Sequence, residues 1–245
     1  MFDTIFTAAS IGLVAGFAMG LTGMGWGSIS VPLLILLGFE PSIVVGSVLP
    51  SNILTSTVAG VTHWRNNNSD KRSIILLTGG GVASAVLGSV FSLNFKLELI
   101  STLLAIYLVV GGITIIISQN RPLERSKEKG VIKFIAAGAI PGFFEGAYGS
   151  GGPAGILSLL LLRVRAHRAV GSWLPASAAI QIAPTTIYLA FLRFNWEIFL
   201  GLLVTGIPAA IVGSKMNMRI PERLLKCLIG VVIIFLGVRL SLSVK

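Results

Sequence analysis

Apolar runs of about 20 residues recur along nearly the whole chain, at 42–62, 74–93, 97–118, 170–192, 198–213 and 224–240. Each is about long enough to cross a hydrocarbon layer roughly 30 Å thick. The longest polar stretch is 119–130, which leaves no room for a soluble domain. Only 11% of the 245 residues are charged, against about 25% in a soluble domain. The chain therefore reads as an all-α polytopic membrane protein. Its start, MFDTIFTAAS, lacks a basic segment and is expected to open the first helix rather than to be a cleaved signal. A single Cys, Cys227, excludes an internal disulfide, and with two His no metal or other cofactor is expected. The net charge of +10 sits almost wholly between the apolar runs. There it reports orientation and contact with the lipid bilayer, not nucleic acid.

Two glycine-rich segments interrupt the apolar pattern. GFAMGLTGMG at 16–25 and GFFEGAYGSG at 142–151 share Gly, Phe, Gly, Gly and Gly at an offset of 126. Each glycine weakens a helix by about 1 kcal/mol relative to Ala. The likeness continues at an offset of 125: Gly46, Ser47 and Pro50 match Gly171, Ser172 and Pro175, Gly81 matches Gly206, and Gly112 matches Gly237. This divides the chain into membrane repeat 1 (1–118), a cytoplasmic linker (119–130) and membrane repeat 2 (131–245).

Loop charge bears on how the repeats are inserted. Positive residues cluster at 63–72, in the linker, at Arg163, Arg165, His167 and Arg168, and at Lys215, Arg219, Arg223 and Lys226. Loops 38–41, 93–98 and 193–197 are nearly free of them. Within the repeats, each of the three basic loops corresponds to a poor one in the other repeat, as two units inserted in opposite orientation require. Arg239 and Lys245 run against that pattern. The stretches 4–37 and 131–162 are too short for two spans of about 20 residues each and too long for one. Each is expected to form two short helices in a re-entrant hairpin with the glycines at its tip, followed by three full helices. Both termini then fall outside.

Irregular backbone at membrane depth survives only when buried or lining a watery cavity. Paired broken helices are where inverted-repeat transporters bind substrate, and helix N-termini there favour an anion. Gly23, Gly25, Gly27 and Ser28, with Tyr148, Gly149, Ser150, Gly151 and Gly152, are the candidate tips. Gly16, Gly20, Gly142 and Gly146 read instead as small-xxx-small packing. Pro153 places the start of the second helix near Gly152. Pro50 and Pro175 are expected to kink their helices. Ser51, Asn52, Ser177 and Gln181 beside them are candidate substrate ligands or interhelical hydrogen bonds. Glu145, whose repeat partner is Met19, is the candidate coupling residue, with a water-facing vestibule residue as the other reading. Thr22 and Trp26 are further tip candidates. Trp173 is expected in the core and His63 at the interface. The 163–168 cluster reads equally as an anion funnel and as a topology signal.

Together these residues resemble the TauE/SafE family of sulfite exporters. The likeness spans nearly the whole chain and rests on two glycine elements, 20–27 and 146–152, each followed by a Pro-containing helix with Pro50 or Pro175. The resemblance implies a secondary transporter, an exporter, of sulfite, sulfonates or another small sulfur-containing anion in a bacterial or archaeal plasma membrane. A proton or sodium would be the coupling ion, and the sequence is compatible with an oligomer. The first element departs from consecutive glycines, with Trp26 inside GMGWGS, which puts pocket size and substrate in question. A passive anion channel is the alternative. An intramembrane enzyme fits less well, because no His accompanies Ser28 or Ser150 as a base.

Overall fold

The computed structural model describes residues 2–94, 97–118, 130–191 and 193–242. The proposed linker and Lys96 fall outside the described residues, apart from Gly130. All regular structure among the described residues is helical: α1 Phe2–Thr22, α2 Trp26–Leu36, α3 Pro41–Arg65, α4 Lys71–Asn94, α5 Leu97–Ser118, α6 Val131–Tyr148, α7 Gly152–Leu161, α8 Ala166–Ile180, α9 Ile182–Ala190, α10 Trp196–Asn217 and α11 Glu222–Leu242. Five of the described helical stretches are long and apolar enough to cross a membrane: Thr4–Thr22, Pro41–Arg65, Lys71–Leu93, Val131–Tyr148 and Trp196–Asn217. Large apolar side chains face outward, among them Phe6, Ile117 and Ile132. In water they would form an aggregating patch; in a bilayer they meet lipid.

Two expectations need correction. The hairpin arms are not both short. α1 has 21 residues and α2 has 11; α6 has 18 and α7 has 10. The run 170–192 is not one helix but α8 and α9, joined at Gln181. Pro184 has no N–H for the carbonyl of Ile180, so the ladder breaks there. It resumes with the Thr185 N–H on the Gln181 carbonyl at 3.0 Å.

Glycine seams set the packing. A Cβ built on Gly12 would lie 2.9 Å from Leu202 Cα, and one on Gly16 would lie 2.8 Å from Gly206 Cα. In the other half, a Cβ on Gly138 would lie 2.7 Å from Leu77 Cα, and one on Gly142 would lie 2.7 Å from Gly81 Cα. So α1 runs alongside α10, and α6 alongside α4, with bare backbones in contact as small residues allow. The long arm of each hairpin leans on the other half of the chain. α5 and α11 run antiparallel: Gly112 meets Gly230 and Ile234, while Gly237 meets Ala105 and Val109.

The GS dipeptides dock loops. Ser172 Oγ accepts from the Asp70 N–H at 3.0 Å, and Ser47 Oγ accepts from the Asn195 N–H at 2.8 Å. The loop between α3 and α4 thus packs on α8, and the stretch before α10 packs on α3.

Candidate functional site

The break after α1 is made by Gly23, at φ 76°, whose N–H bonds the Met19 carbonyl at 2.7 Å. The break after α6 is made by Gly149, at φ 66°, whose N–H bonds the Glu145 carbonyl at 2.9 Å. Left-handed backbone of this kind ends helices and suits glycine. The two tips then meet. Gly27 abuts the Gly149 carbonyl so closely that a Cβ would lie 2.7 Å from its carbon. A Cβ on Gly152 would lie 3.3 Å from the Gly23 oxygen and from Met24 Cα. Ser28 Oγ and Ser150 Oγ join across the seam at 2.7 Å.

Each short helix aims its first turn at this seam. In α2 the first internal bond is from the Ile29 N–H to the Gly25 carbonyl at 2.9 Å. The N–H groups of Trp26, Gly27 and Ser28 precede it and carry the positive end of the helix dipole. In α7, with Pro153 in its first turn, the first bond runs from the Gly155 N–H to the Gly151 carbonyl at 2.9 Å.

Glu145, on the last turn of α6, is buried. Its Oε1 accepts from Ser177 Oγ at 2.9 Å, with Asn52 Nδ2 at 3.5 Å, and its Oε2 accepts from the Gly151 N–H. Behind them Gln181 Nε2 donates to Ser177 Oγ at 2.6 Å, and Ser56 Oγ donates to Asn52 Oδ1 at 2.7 Å. The buried Gln181 Oε1 has no protein partner. The vestibule reading of Glu145 is therefore corrected: it lies in the interior, among donors from α3, α7 and α8.

The cavity enclosed by these groups has about 10 Å³ of free space at its centre, close to the minimum for one water. Gly23, Gly25, Gly27 and Ser28 line it from the first tip. Gly149, Ser150 and Gly152 line it from the second, and Asn52, Glu145 and Ser177 complete the polar wall. Ser51, Tyr148, Gly151 and Gln181 are not on the wall. Ser51 Oγ bonds Trp26 Nε1 at 3.1 Å, and Gln181 stands behind Ser177. The lining contains no Lys, Arg or His, and the 163–168 cluster is not part of it.

Sequence reasoning missed Ser56, Met19, Met24 and Leu174, and Trp173 lines the wall as well as filling the core. The 125 offset pairs Ser56 with Gln181 and Asn52 with Ser177, which is the signal that would have found Ser56. His63 is fully buried rather than interfacial. Its Nε2 faces the Gly20 carbonyl at 3.4 Å, as the Tyr188 hydroxyl faces the equivalent Gly146 carbonyl at 3.3 Å. Both side chains satisfy carbonyls orphaned where the helix stops. Among the described residues, no cluster of three His, Cys, Asp or Glu is placed to hold a metal ion.

The sequence model of the family described as "Sulfite exporter TauE/SafE" matches residues 8–240. The chain is 27% identical to the probable membrane transporter protein YjnA of Bacillus subtilis, over 94% of this chain and 97% of that one. It is likewise 27% identical to the probable membrane transporter protein YtnM of the same organism, over 94% of this chain and 80% of that one. A probable membrane transporter protein of Xylella fastidiosa is 25% identical over 96% and 93%.

Proposed function

Because the chain belongs to the TauE/SafE family, we propose that this multi-pass membrane transporter is a secondary carrier that exports sulfite, a sulfonate or a related small sulfur-containing anion. The observation that supports this best is the meeting of the two glycine tips. A buried, narrow cavity there is lined by backbone, hydroxyls, an amide and the Glu145 carboxyl, with the N-terminus of α2 facing in. Neutral donors and a helix dipole suit an oxyanion. They also let it go more readily than a lysine or arginine would.

A carrier must close around its cargo, and the free space of about 10 Å³ suits a closed state better than an open channel. The bilayer in question is the plasma membrane of a bacterium or archaeon. Residues 1–118 and 131–245 are inverted repeats in this proposal, with the 119–130 linker in the cytoplasm. The antiparallel packing of α5 on α11 supports that arrangement. Glu145 is the coupling residue, with a proton in preference to sodium. Its partners are three hydrogen-bond donors, the Ser177 hydroxyl, the Asn52 amide and the Gly151 N–H, not the cage of oxygens a hard cation prefers.

Flux of radiolabelled sulfite in proteoliposomes, with and without an imposed pH gradient, tests the reading. Saturable flux that shows counterflow and follows the gradient is expected. Flux without saturation or counterflow would make the protein a passive anion channel.

A further inference from the structure

The two pseudo-equivalent helix ends at the cavity are filled differently. At α2, the residue matching Glu145 is Met19, which meets Ser56 Oγ through its sulfur at 3.6 Å, so no acid caps that end. At α7, the Gly151 N–H is already given to Glu145, and Ser177 Oγ and Asn52 Nδ2 also point their hydrogens at it. All three partners donate, which is what an ionised carboxylate accepts. No ion pair among the described residues involves Glu145.

We propose that the Glu145 carboxylate is a tethered competitor for the transported anion. Ionised, it fills the seat made by the Gly151 N–H, Ser177 and Asn52; protonated, it yields those donors, so that one proton is taken up for each anion bound, the two cross together, and export runs on the anion's own outward gradient. This rests on the carrier reading above and deepens it. The balance is simple: carboxylate plus proton gives the neutral acid, and one negative charge enters as one is neutralised. The cavity holds a single negative charge before and after. Its lining of neutral donors has no basic side chain to offset a second. Space makes the same demand, since the centre barely admits a water.

Other titratable groups are poorly placed to take the proton instead. α7 carries none, and α4 carries none beyond Arg72. Tyr107 of α5 bonds Ser158 at 2.7 Å, and Tyr188 of α9 bonds Ser92 at 2.7 Å. On α3, His63 sits on the Gly20 carbonyl of α1, at the first tip and not at the Glu145 seat, and Arg65 lies about a dozen residues beyond Asn52; on α8, His167 and Arg168 lie about ten before Ser177. Those spacings correspond to roughly 15 Å or more along a helix. Lys133, on α6 itself, is about as far away, and Tyr148 is one turn beyond Glu145 but off the cavity wall.

The test uses the purified full chain in detergent, with methanesulfonate and sulfite as probes; methanesulfonate stays singly charged throughout the pH range. Titration calorimetry in buffers of different ionisation enthalpy counts the protons taken up per anion. At alkaline pH about one proton per methanesulfonate is expected, with apparent affinity falling tenfold per pH unit. Glu145→Gln, which keeps the shape of the side chain, should bind with no proton uptake and a flat pH profile. The wild-type count decides the matter even if the variant folds poorly. Saturable binding with no proton uptake by wild type, or equal uptake by Glu145→Gln, would overturn the competitor and leave the carrier standing. Failure of both probes to bind at any pH would overturn both.

Discussion

Gly27→Ala bears directly on how the tips fit. The new methyl would sit 2.7 Å from the carbonyl carbon of Gly149 and nearer still to its oxygen, against at least 3.4 Å for an ordinary contact. The obstacle is backbone at the closed end of a helix, with no rotamer to move aside. Overpacking costs about 1–3 kcal/mol in a core, and this site belongs at the upper end. Alanine's gain over glycine in a helix is about 1 kcal/mol, so the net loss is about 2 kcal/mol. Parting the tips also stretches the 2.7 Å bond between Ser28 and Ser150. Gly79→Ala is the control, because its Cβ would meet nothing within 4 Å and it should gain up to about 1 kcal/mol. Unfolding free energies of both variants in mixed micelles give the comparison, with sulfite flux as the second reading. Equal stability and flux in the two variants would show that the backbones do not meet at Gly27.

Topology can be read with two exposed, pseudo-equivalent positions, Glu40 before α3 and Arg165 before α8. In a Cys227→Ser background, Glu40→Cys and Arg165→Cys should react with an impermeant maleimide from opposite sides; reaction from one side would contradict inverted repeats. Ser47→Ala and Ser172→Ala each strand a backbone N–H that now has an acceptor at 2.8 and 3.0 Å. Each should cost about 1–3 kcal/mol, and the pair should add nearly fully because the two docks share no partner. A double variant no less stable than either single, measured by unfolding in micelles, would count against that account.

Much of the fold was legible because it is written in one dimension. Apolar runs placed most of the helices, and the glycines at 16, 20, 142 and 146 did form the seams their spacing suggests. The doubled motif located Gly23 and Gly149 and so both breaks. What escaped depends on contacts between residues far apart in the chain. A hairpin of 34 residues cannot hold two full spans, but nothing in its composition divides it into 21 and 11. Pro184 was visible, yet its break at Gln181 was hidden in an apolar run. Ser47 and Ser172 stood out as matched positions of the repeat, and their acceptor role for Asn195 and Asp70 appears only once the halves are packed. His63 looked interfacial because it ends a helix beside Arg65; the neighbouring α1 and α8 bury it. Of the candidate ligands, Ser51 and Gln181 were found by chemistry that suits a wall, but the direction of each side chain was set by Trp26 and Ser177.

The seam between α1 and α10 has a consequence in time. The face of α1 that carries Gly12 and Gly16 is covered by Leu202 and Gly206, which leave the ribosome long after α1 does. At about 5–20 residues per second, α1 waits on the order of ten to forty seconds for its partner, while α6 finds α4 already made. The nascent chain must keep the bare backbone ridge of its first helix occupied by lipid, by a neighbouring helix or by the insertion machinery. The two hairpins share a glycine pattern, but only the second can close as soon as it is synthesised.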